Sequence, residues 1–200
     1  LNIHNYFFVK ALDKVRPGGI VVFITSTGTM QSMSDSATTR RILSQRANMI
    51  GAFRLPGDAF KGNANTEVTT DVIVLQKLSE GEKPSGNHWQ ALKDTDVLGK
   101  YNGKPLKINE YYTQNPEMVL GNLIDDKLHP GRLALEADGR PIKEAVAAAV
   151  AKFQKNIFKE PEKKQAGAGS DAVNSVRKLY DASFILKDGK LFQQVGNELI

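Results

Sequence analysis

The chain has 200 residues, a net charge of +5 and no cysteine, which excludes disulfides, thiolate metal sites and cysteine nucleophiles. Its hydrophobic fraction of 40% is ordinary for a globular protein, and no apolar run approaches the roughly 20 residues that span a bilayer. No signal peptide is visible, so we expect a cytoplasmic protein without membrane contact. Because the chain begins at Leu1 and not at Met, we interpret it as a piece of a longer protein. The basic charge suits a nucleic-acid partner.

The first 79 residues predict an α/β sheet covered by helices. An amphipathic helix at 2–16 is expected to bury one face. This face is formed by Ile3, Phe7, Ala11 and Val15 and is widened by Tyr6, Phe8 and Leu12. A second helix at 37–47 carries arginines, and apolar runs predict strands at 19–25, 49–55 and 68–76. The first and last of these runs lack polar alternation, so both of their faces should be covered. The roughly ten-residue loop between the last two strands is too short for a parallel crossover and predicts an antiparallel return.

The rest of the chain predicts a smaller α+β accessory region and a C-terminal hairpin. After a polar linker at 79–87, residues 80–159 are expected to be a mixed helical region with a helix near Asn109 and a turn at Asn115-Pro116. A helix at 141–158 should bury one face, formed by Ile142, Val146, Ala149, Val150 and Phe153. Residues 160–200 predict a linker followed by a β-hairpin around Asp188-Gly189.

Two segments, YFFVKALDKVRPGGIVVFITSTGTM and RRILSQRANMIGAFRLPGDAFKGNANTEVTTDVIVLQK, resemble the C-terminal half of an adenine-specific DNA methyltransferase domain. The resemblance is to large methylase–helicase proteins of phages and mobile elements. It covers residues 1–78, and residues 101–124 also resemble the segment that lies C-terminal to this domain in such proteins. It implies a partial Rossmann-like sheet in which 19–25, 49–55 and 68–76 are the fifth, sixth and seventh strands. The family inserts the seventh strand antiparallel between the other two, in the order 5-7-6.

The motifs that perform methyl transfer in this family are not found in the chain. The glycine-rich turn that binds S-adenosylmethionine and the Asn/Asp-Pro-Pro-aromatic motif are both expected upstream of Leu1. No catalytic, cofactor-binding or metal-binding residue is therefore predicted here, and S-adenosylmethionine is implied for the full-length protein only. The segment Asn115–Glu117 lacks the second proline and the aromatic residue, and it predicts a turn. The three histidines, His4, His88 and His129, are isolated in sequence.

Phe60 stands among small polar residues between the last two strands of the predicted sheet. Methylation of adenine in a duplex requires the base to be flipped out and held by hydrogen bonds and aromatic stacking. In the family one stacking aromatic comes from the loop between the sixth and seventh strands, and Phe60 occupies that place. The residues alone leave a core role equally open, and the resemblance favours stacking. The implied candidate DNA contacts are Lys61, Asn63, Asn65, Thr66, Arg40, Arg41 and Arg54.

The resemblance thus predicts a fragment of a DNA adenine-N6 methyltransferase used in DNA modification or anti-restriction, inactive in isolation. Its partners would be double-stranded DNA and a helicase domain in the same polypeptide. Alternatives are a methyltransferase of RNA or protein glutamine, and a non-catalytic nucleic-acid-binding module of a helicase-like protein. The strand at 19–25 would lack its fourth-strand neighbour, so we expect its edge to be covered by a local helix or by a second copy, as a homodimer.

Overall fold

The computed structural model describes a mixed α/β protein over residues 3–85, 88–101, 103–126, 133–159, 184–187, 190–195 and 198–199. The chain divides into two compact units, Leu1–Pro161 and Glu162–Ile200. Within the described ranges, no helix has the length and the apolar character needed to cross a membrane.

A three-stranded sheet forms the core of the first unit. Its strands are β1 (Ile20–Ser26), β2 (Ala47–Leu55) and β3 (Thr70–Lys77). β3 lies between the other two and is antiparallel to both, which confirms the predicted strand order and the antiparallel return. The central position suits β3 because its segment Val72–Leu75 is apolar on both faces and can pack on two layers.

Three helices accompany this sheet: α1 (Ile3–Lys14), α2 (Gly28–Gln31) and α3 (Asp35–Ser44). Phe8 of α1 packs on Phe23 of β1, with the ring centroids 4.2 Å apart. The predicted buried face of α1 is confirmed at Phe8 and Leu12 and is wrong at Ile3, Tyr6 and Phe7. Its buried residues are Asn5, Phe8 and Leu12, whereas Ile3, Tyr6 and Phe7 are exposed. Because apolar residues surround this helix, its periodicity does not select one face.

The opposite face of the sheet is covered over β2 and open over β1. Phe153 packs on Gly51 and lies 6.1 Å from the ring of Phe53. Val22 and Ile24 of β1 are 59% and 58% exposed. The expectation that β1 is covered on both faces is therefore wrong for the described structure. Within that structure no strand pairs with the outer edge of β1, and a homodimer through this edge stays a prediction.

Gly51 is required by the close approach of Phe153. A Cβ atom at Gly51 would lie 2.2 Å from a ring carbon of Phe153, so alanine would force the ring to move. We expect Gly51→Ala to lower the free energy of unfolding by about 1–3 kcal/mol, as overpacking does, when measured by urea denaturation. Gly62→Ala is the control, because no atom lies within 4 Å of its Cβ position. Equal stability of the two variants would contradict this packing.

The accessory region is α+β, as predicted, and the helix expected near Asn109 is present. Hairpins make up more of the region than the mixed helical expectation implied. β4 (Leu92–Tyr101) pairs with β5 (Lys104–Asn109), and Gly103 turns between them at a φ of 75°. β6 (Asn122–Asp125) pairs with β7 (Leu133–Glu136), and α5 (Glu110–Gln114) lies between the hairpins.

The helix α6 (Ile142–Ala151) ends before the predicted position 158. The predicted face is confirmed at Ala149, which is buried, and at Val146 and Phe153, which pack against the core. It is wrong at Ile142 and Val150, which are exposed. Phe153 lies beyond the end of the helix, where it reaches the sheet. Within α6, the residues buried in the hydrophobic core are the two small alanines Ala145 and Ala149.

The second unit contains the predicted hairpin. β8 (Phe184–Lys187) pairs antiparallel with β9 (Lys190–Val195), and β10 (Glu198–Leu199) pairs with β9. The two predicted strands are confirmed. The turn Asp188-Gly189 and residues 160–183, which include nearly all of the predicted linker, lie outside the described residues.

Candidate nucleic-acid interface

The loops that follow β1 and β2 meet at one end of the sheet. Both strands are antiparallel to β3 and hence parallel to each other, so Ser26 and Leu55 end them on the same side. β3 begins between them at Thr70. In α/β sheets the carboxyl ends of parallel strands are where ligands bind. The candidate site therefore lies at the end of the sheet that carries Phe60.

Phe60 ends a short 3₁₀ helix, Gly57–Phe60, which leads into the single helical turn α4 (Lys61–Ala64). Phe60 is half-buried and packs against the residues of the hydrophobic core. Asn65 closes the turn with a φ of 47°, in the left-handed region that asparagine tolerates. Phe60 is thus partly fixed by packing and partly accessible to solvent, which is compatible with a stacking role.

Lys61 forms an ion pair with Glu67 across the loop, at 2.5 Å. The hydrogen bond between them raises the pKa of Lys61 and lowers that of Glu67. Both side chains are 62% exposed, so solvent screens the pair. Of the other candidate contacts in the loop, Asn65 is exposed and Thr66 is half-buried. Asn63 lies within α4, and its side chain is outside the described structure.

A buried ion pair closes the base of the loop. Arg54 and Asp71 lie opposite each other in the strand register and form two hydrogen bonds, Nε to Oδ1 at 2.7 Å and Nη2 to Oδ2 at 2.9 Å. Tyr112 donates its hydroxyl to Asp71 Oδ1 at 2.9 Å. Its ring centroid lies 4.9 Å from the Arg54 guanidinium carbon. All three residues are almost completely buried.

The electrostatics of this group keep the arginine charged and the tyrosine neutral. Burial alone would lower the pKa of Arg54, but the charge and hydrogen bonds of Asp71 raise it above its ordinary value. Burial raises the pKa of Tyr112 well above its ordinary value, and the negative charge of Asp71 adds to this. The two ends of the Phe60 loop are therefore joined by a bidentate, charge-assisted contact.

The accessory region forms hydrogen bonds with β2, the strand that precedes the Phe60 loop. Tyr111 accepts a hydrogen bond from the backbone N–H of Ala52 at 3.1 Å. Leu120 N–H donates to the Arg54 carbonyl at 2.9 Å, and Val119 forms a parallel bridge with Arg54. The outer edge of β2 is thus covered by the chain that follows Asn115, where a 3₁₀ turn, Pro116–Met118, agrees with the predicted turn.

Two of the predicted DNA contacts are buried and cannot reach a phosphate. Arg54 is occupied by Asp71, as described above. Arg40 is fully buried and donates to the carbonyl oxygens of Thr29, Ser32 and Gln90 at 2.8–2.9 Å. Burial lowers the pKa of Arg40, although the charge of Glu110 opposes this. Arg41, its neighbour on α3, is exposed and stays a candidate.

The described residues lack two arrangements that often hold a metal ion or a nucleotide cofactor. It contains no group of three His, Asp or Glu residues close enough to hold a metal ion. It also contains no strand followed by a glycine-rich turn and a helix of the kind that binds a nucleotide cofactor. We therefore assign no residue of this chain to S-adenosylmethionine.

Comparisons with known proteins link the chain to one class of phage protein. No family model and no solved structure matches it. Defense against restriction protein B of Escherichia phage P1 is 29% identical to it over 146 residues. The match covers 72% of this chain and 6% of the phage protein, so the chain spans a small fraction of the relative that it resembles.

Proposed function

We propose that this chain is part of the catalytic domain of an S-adenosylmethionine-dependent DNA adenine-N6 methyltransferase that acts in DNA modification or in defence against restriction. The observation that carries the proposal is the position of Phe60. The partly buried Phe60 lies in the loop between β2 and β3, at the carboxyl ends of β1 and β2 in a sheet with the strand order β1-β3-β2. This is the place and the strand order that the resemblance implies for a base-stacking residue.

In this proposal the chain supplies part of the pocket that receives the target base. Phe60 offers its ring to the flipped adenine, a contact worth about 1–3 kcal/mol. The Arg54–Asp71 ion pair joins the two ends of the loop, and Tyr112 donates a hydrogen bond to Asp71. S-adenosylmethionine, bound by the preceding part of the full-length protein, supplies the methyl group.

The phage relative supports the biological setting of this proposal. Its name states a role in defence against restriction. The N6 amino group of adenine lies in the major groove, where DNA-reading proteins recognise it as a donor. A methyl group at N6 changes that pattern, so adenine methylation is a chemically direct way to prevent recognition of a site.

The full-length protein that contains this segment provides the test of the proposed function. It should transfer a methyl group from S-adenosylmethionine to adenine N6 in duplex DNA, detected by mass spectrometry of the digested nucleosides. Salt-dependent DNA binding without methyl transfer would favour the alternative of a non-catalytic nucleic-acid-binding module.

The isolated chain should not bind S-adenosylmethionine. Methyl transfer requires both reactants to be held in one geometry, and we assign no cofactor-binding residue to this segment. Isothermal titration calorimetry of the 200-residue chain should show no heat of binding, and the full-length protein is the positive control. Micromolar binding by the isolated chain would contradict its interpretation as a fragment.

A further inference from the structure

A pocket lies at the end of the three-stranded sheet that is opposite the Phe60 loop. It has a volume of about 270 Å³ and is lined by residues from the start of β2, the end of β3 and the segment that follows α6. Strand residues rise about 3.3 Å each, so Asn48 lies roughly 20 Å along β2 from Leu55, after which the Phe60 loop begins. The pocket is therefore separate from the candidate nucleic-acid interface.

A β-bulge shapes one wall of this pocket. The pairing of β2 with β3 shifts between Met49 and Gly51, so Ile50 is an extra residue in β2. Asn48, Met49 and Ile50 all line the pocket, although a regular strand turns successive side chains to opposite faces. Bulges of this kind re-aim side chains and are frequent next to active sites. Here the bulge adds apolar residues to a wall that also carries a polar side chain.

Two carboxamide side chains stand next to each other in the pocket. Asn48 and Gln76 lie directly opposite in the strand register, which places their Cβ atoms about 4.5–5.5 Å apart on one face. Gln76 is only 6% exposed, and its Nε2 donates to the carbonyl oxygens of Gly18, at 3.0 Å, and of Ile157. Its Oε1 has no hydrogen-bond partner among the described residues and is not closed to solvent. This oxygen is therefore an accessible acceptor.

Asn48 supplies a donor beside that acceptor. Its Oδ1 accepts a hydrogen bond from the backbone N–H of Ser85 at 2.7 Å, which fixes the orientation of the amide. Its Nδ2 lies 3.4 Å from Glu82 Oε1 and carries a second hydrogen for another partner. The pocket thus presents an N–H donor next to a carbonyl acceptor, and contacts with the backbone hold both groups in place.

The outer wall of the pocket is fixed and electrically balanced. Lys159 forms an ion pair with Glu82 at 2.7 Å, and the carbonyl oxygen of Lys159 accepts a hydrogen bond from Arg16 at 2.6 Å. Among the described residues that line the pocket, Glu82 and Lys159 are the charged ones, and they neutralise each other. An uncharged ligand with a polar edge and an apolar face suits this lining.

We propose that this pocket binds the base of a nucleoside, with the polar edge of the base paired to Asn48 and Gln76. Asparagine and glutamine are the side chains that recognise the adjacent donor and acceptor of adenine in DNA. In the pocket the N6 amino group of adenine would donate to Gln76 Oε1, and a neighbouring ring nitrogen would accept from Asn48 Nδ2. The face of the ring would lie against Met49, Ile50 and Ile157.

The size of the pocket favours a single nucleoside over a longer segment. Its volume lies just below the roughly 300–1,000 Å³ of typical small-molecule pockets. The inference does not rest on the proposed function, because the Phe60 loop contributes no residue to this site. Loss of methyl transfer by the full-length protein would leave it unaffected.

Adenosine is the probe for the first test, and nuclear magnetic resonance of the ¹⁵N-labelled 200-residue chain is the readout. Titration should shift the side-chain amide signals of Asn48 and Gln76. The exposed Asn122 does not line the pocket and is the internal control. Purine riboside lacks the 6-amino group and should bind about 2- to 10-fold more weakly, the loss expected for one hydrogen bond. Ribose alone should leave both signals unchanged.

Asn48→Leu is the matching variant, because leucine is similar in size to asparagine but has no N–H to donate. It should weaken adenosine binding about 2- to 10-fold, as followed at the Gln76 amide. Asn122→Leu removes an exposed amide outside the pocket and should leave the affinity unchanged. Circular dichroism shows whether each variant is folded, and the titration of the unchanged chain decides the proposal if Asn48→Leu is not.

The outcomes are distinct. Shifts at Asn48 and Gln76 with adenosine, weaker binding of purine riboside and weaker binding by Asn48→Leu would support the site. No shift at these two amides, or the same shifts with ribose, would overturn the pocket as a nucleobase site. Equal affinity for adenosine and purine riboside, or equal affinity of a folded Asn48→Leu chain, would overturn recognition of the base edge by these two side chains.

Discussion

Asp71→Asn should lower the free energy of unfolding of this chain by about 3–5 kcal/mol. The amide cannot balance the charge of Arg54, which has no access to water and would remain as an uncompensated buried cation. Urea denaturation followed by circular dichroism measures this loss. Glu67→Gln is the matched control, because it neutralises a carboxylate in the exposed ion pair with Lys61 and should change stability little. Equal effects of the two variants would show that water reaches the Arg54 guanidinium.

The variant Tyr112→Phe tests the hydrogen bond to Asp71 separately from the packing of the Tyr112 ring on Arg54. Tyr112→Phe keeps the ring beside Arg54 but removes the hydroxyl that donates to Asp71, so a loss of about 1.5–3 kcal/mol is expected for one hydrogen bond to a charged group. The pKa of Tyr112 is raised above its ordinary value of 10.0 in the folded protein. Its contribution is therefore complete below about pH 10 and is lost as the pH rises through the higher folded-state value. Tyr112→Phe should remove this alkaline dependence.

The arrangement of the sheet could be predicted because two independent features of the sequence agree on it. The segment Val72–Leu75 is apolar at consecutive positions, which requires cover on both faces and hence a central place. The short connection before it requires an antiparallel return. The ion pair follows from the same two features, since a return places Arg54, at the end of one strand, opposite Asp71, at the start of the next. That signal was present in the sequence, and the expectation of a phosphate contact for Arg54 overlooked it.

Other features could not be predicted because they depend on distant parts of the chain. Arg40 is buried by three backbone carbonyl groups, one of which belongs to Gln90, 50 residues away. A charged residue on a polar helix gives no sign of such partners. The hairpin of β4 and β5 was missed because glycine and charged residues interrupt its alternation.

Under the proposed function, Phe60→Ala should reduce methyl transfer by the full-length protein about 5- to 150-fold, which corresponds to the 1–3 kcal/mol of base–aromatic stacking. The same change should cost less stability than the roughly 3–5 kcal/mol of a fully buried phenylalanine, since Phe60 is only partly buried. Phe60→Tyr and Phe60→Trp should retain most of the activity, because each preserves a flat ring. Transfer of a labelled methyl group to a duplex and the Tm of each variant are the two measurements.

Stability and activity must be compared variant by variant, because a half-buried ring contributes to both. Phe60→Leu is the decisive control, since leucine fills much of the packed space but has no aromatic face. If Phe60 stacks on the base, Phe60→Leu should keep most of the stability and lose activity almost as Phe60→Ala does. If Phe60 is only a packing residue, activity should follow the folded fraction in all four variants, and Phe60→Leu should methylate DNA normally per folded molecule. That second pattern would contradict the stacking role and leave the ring as a support for the loop.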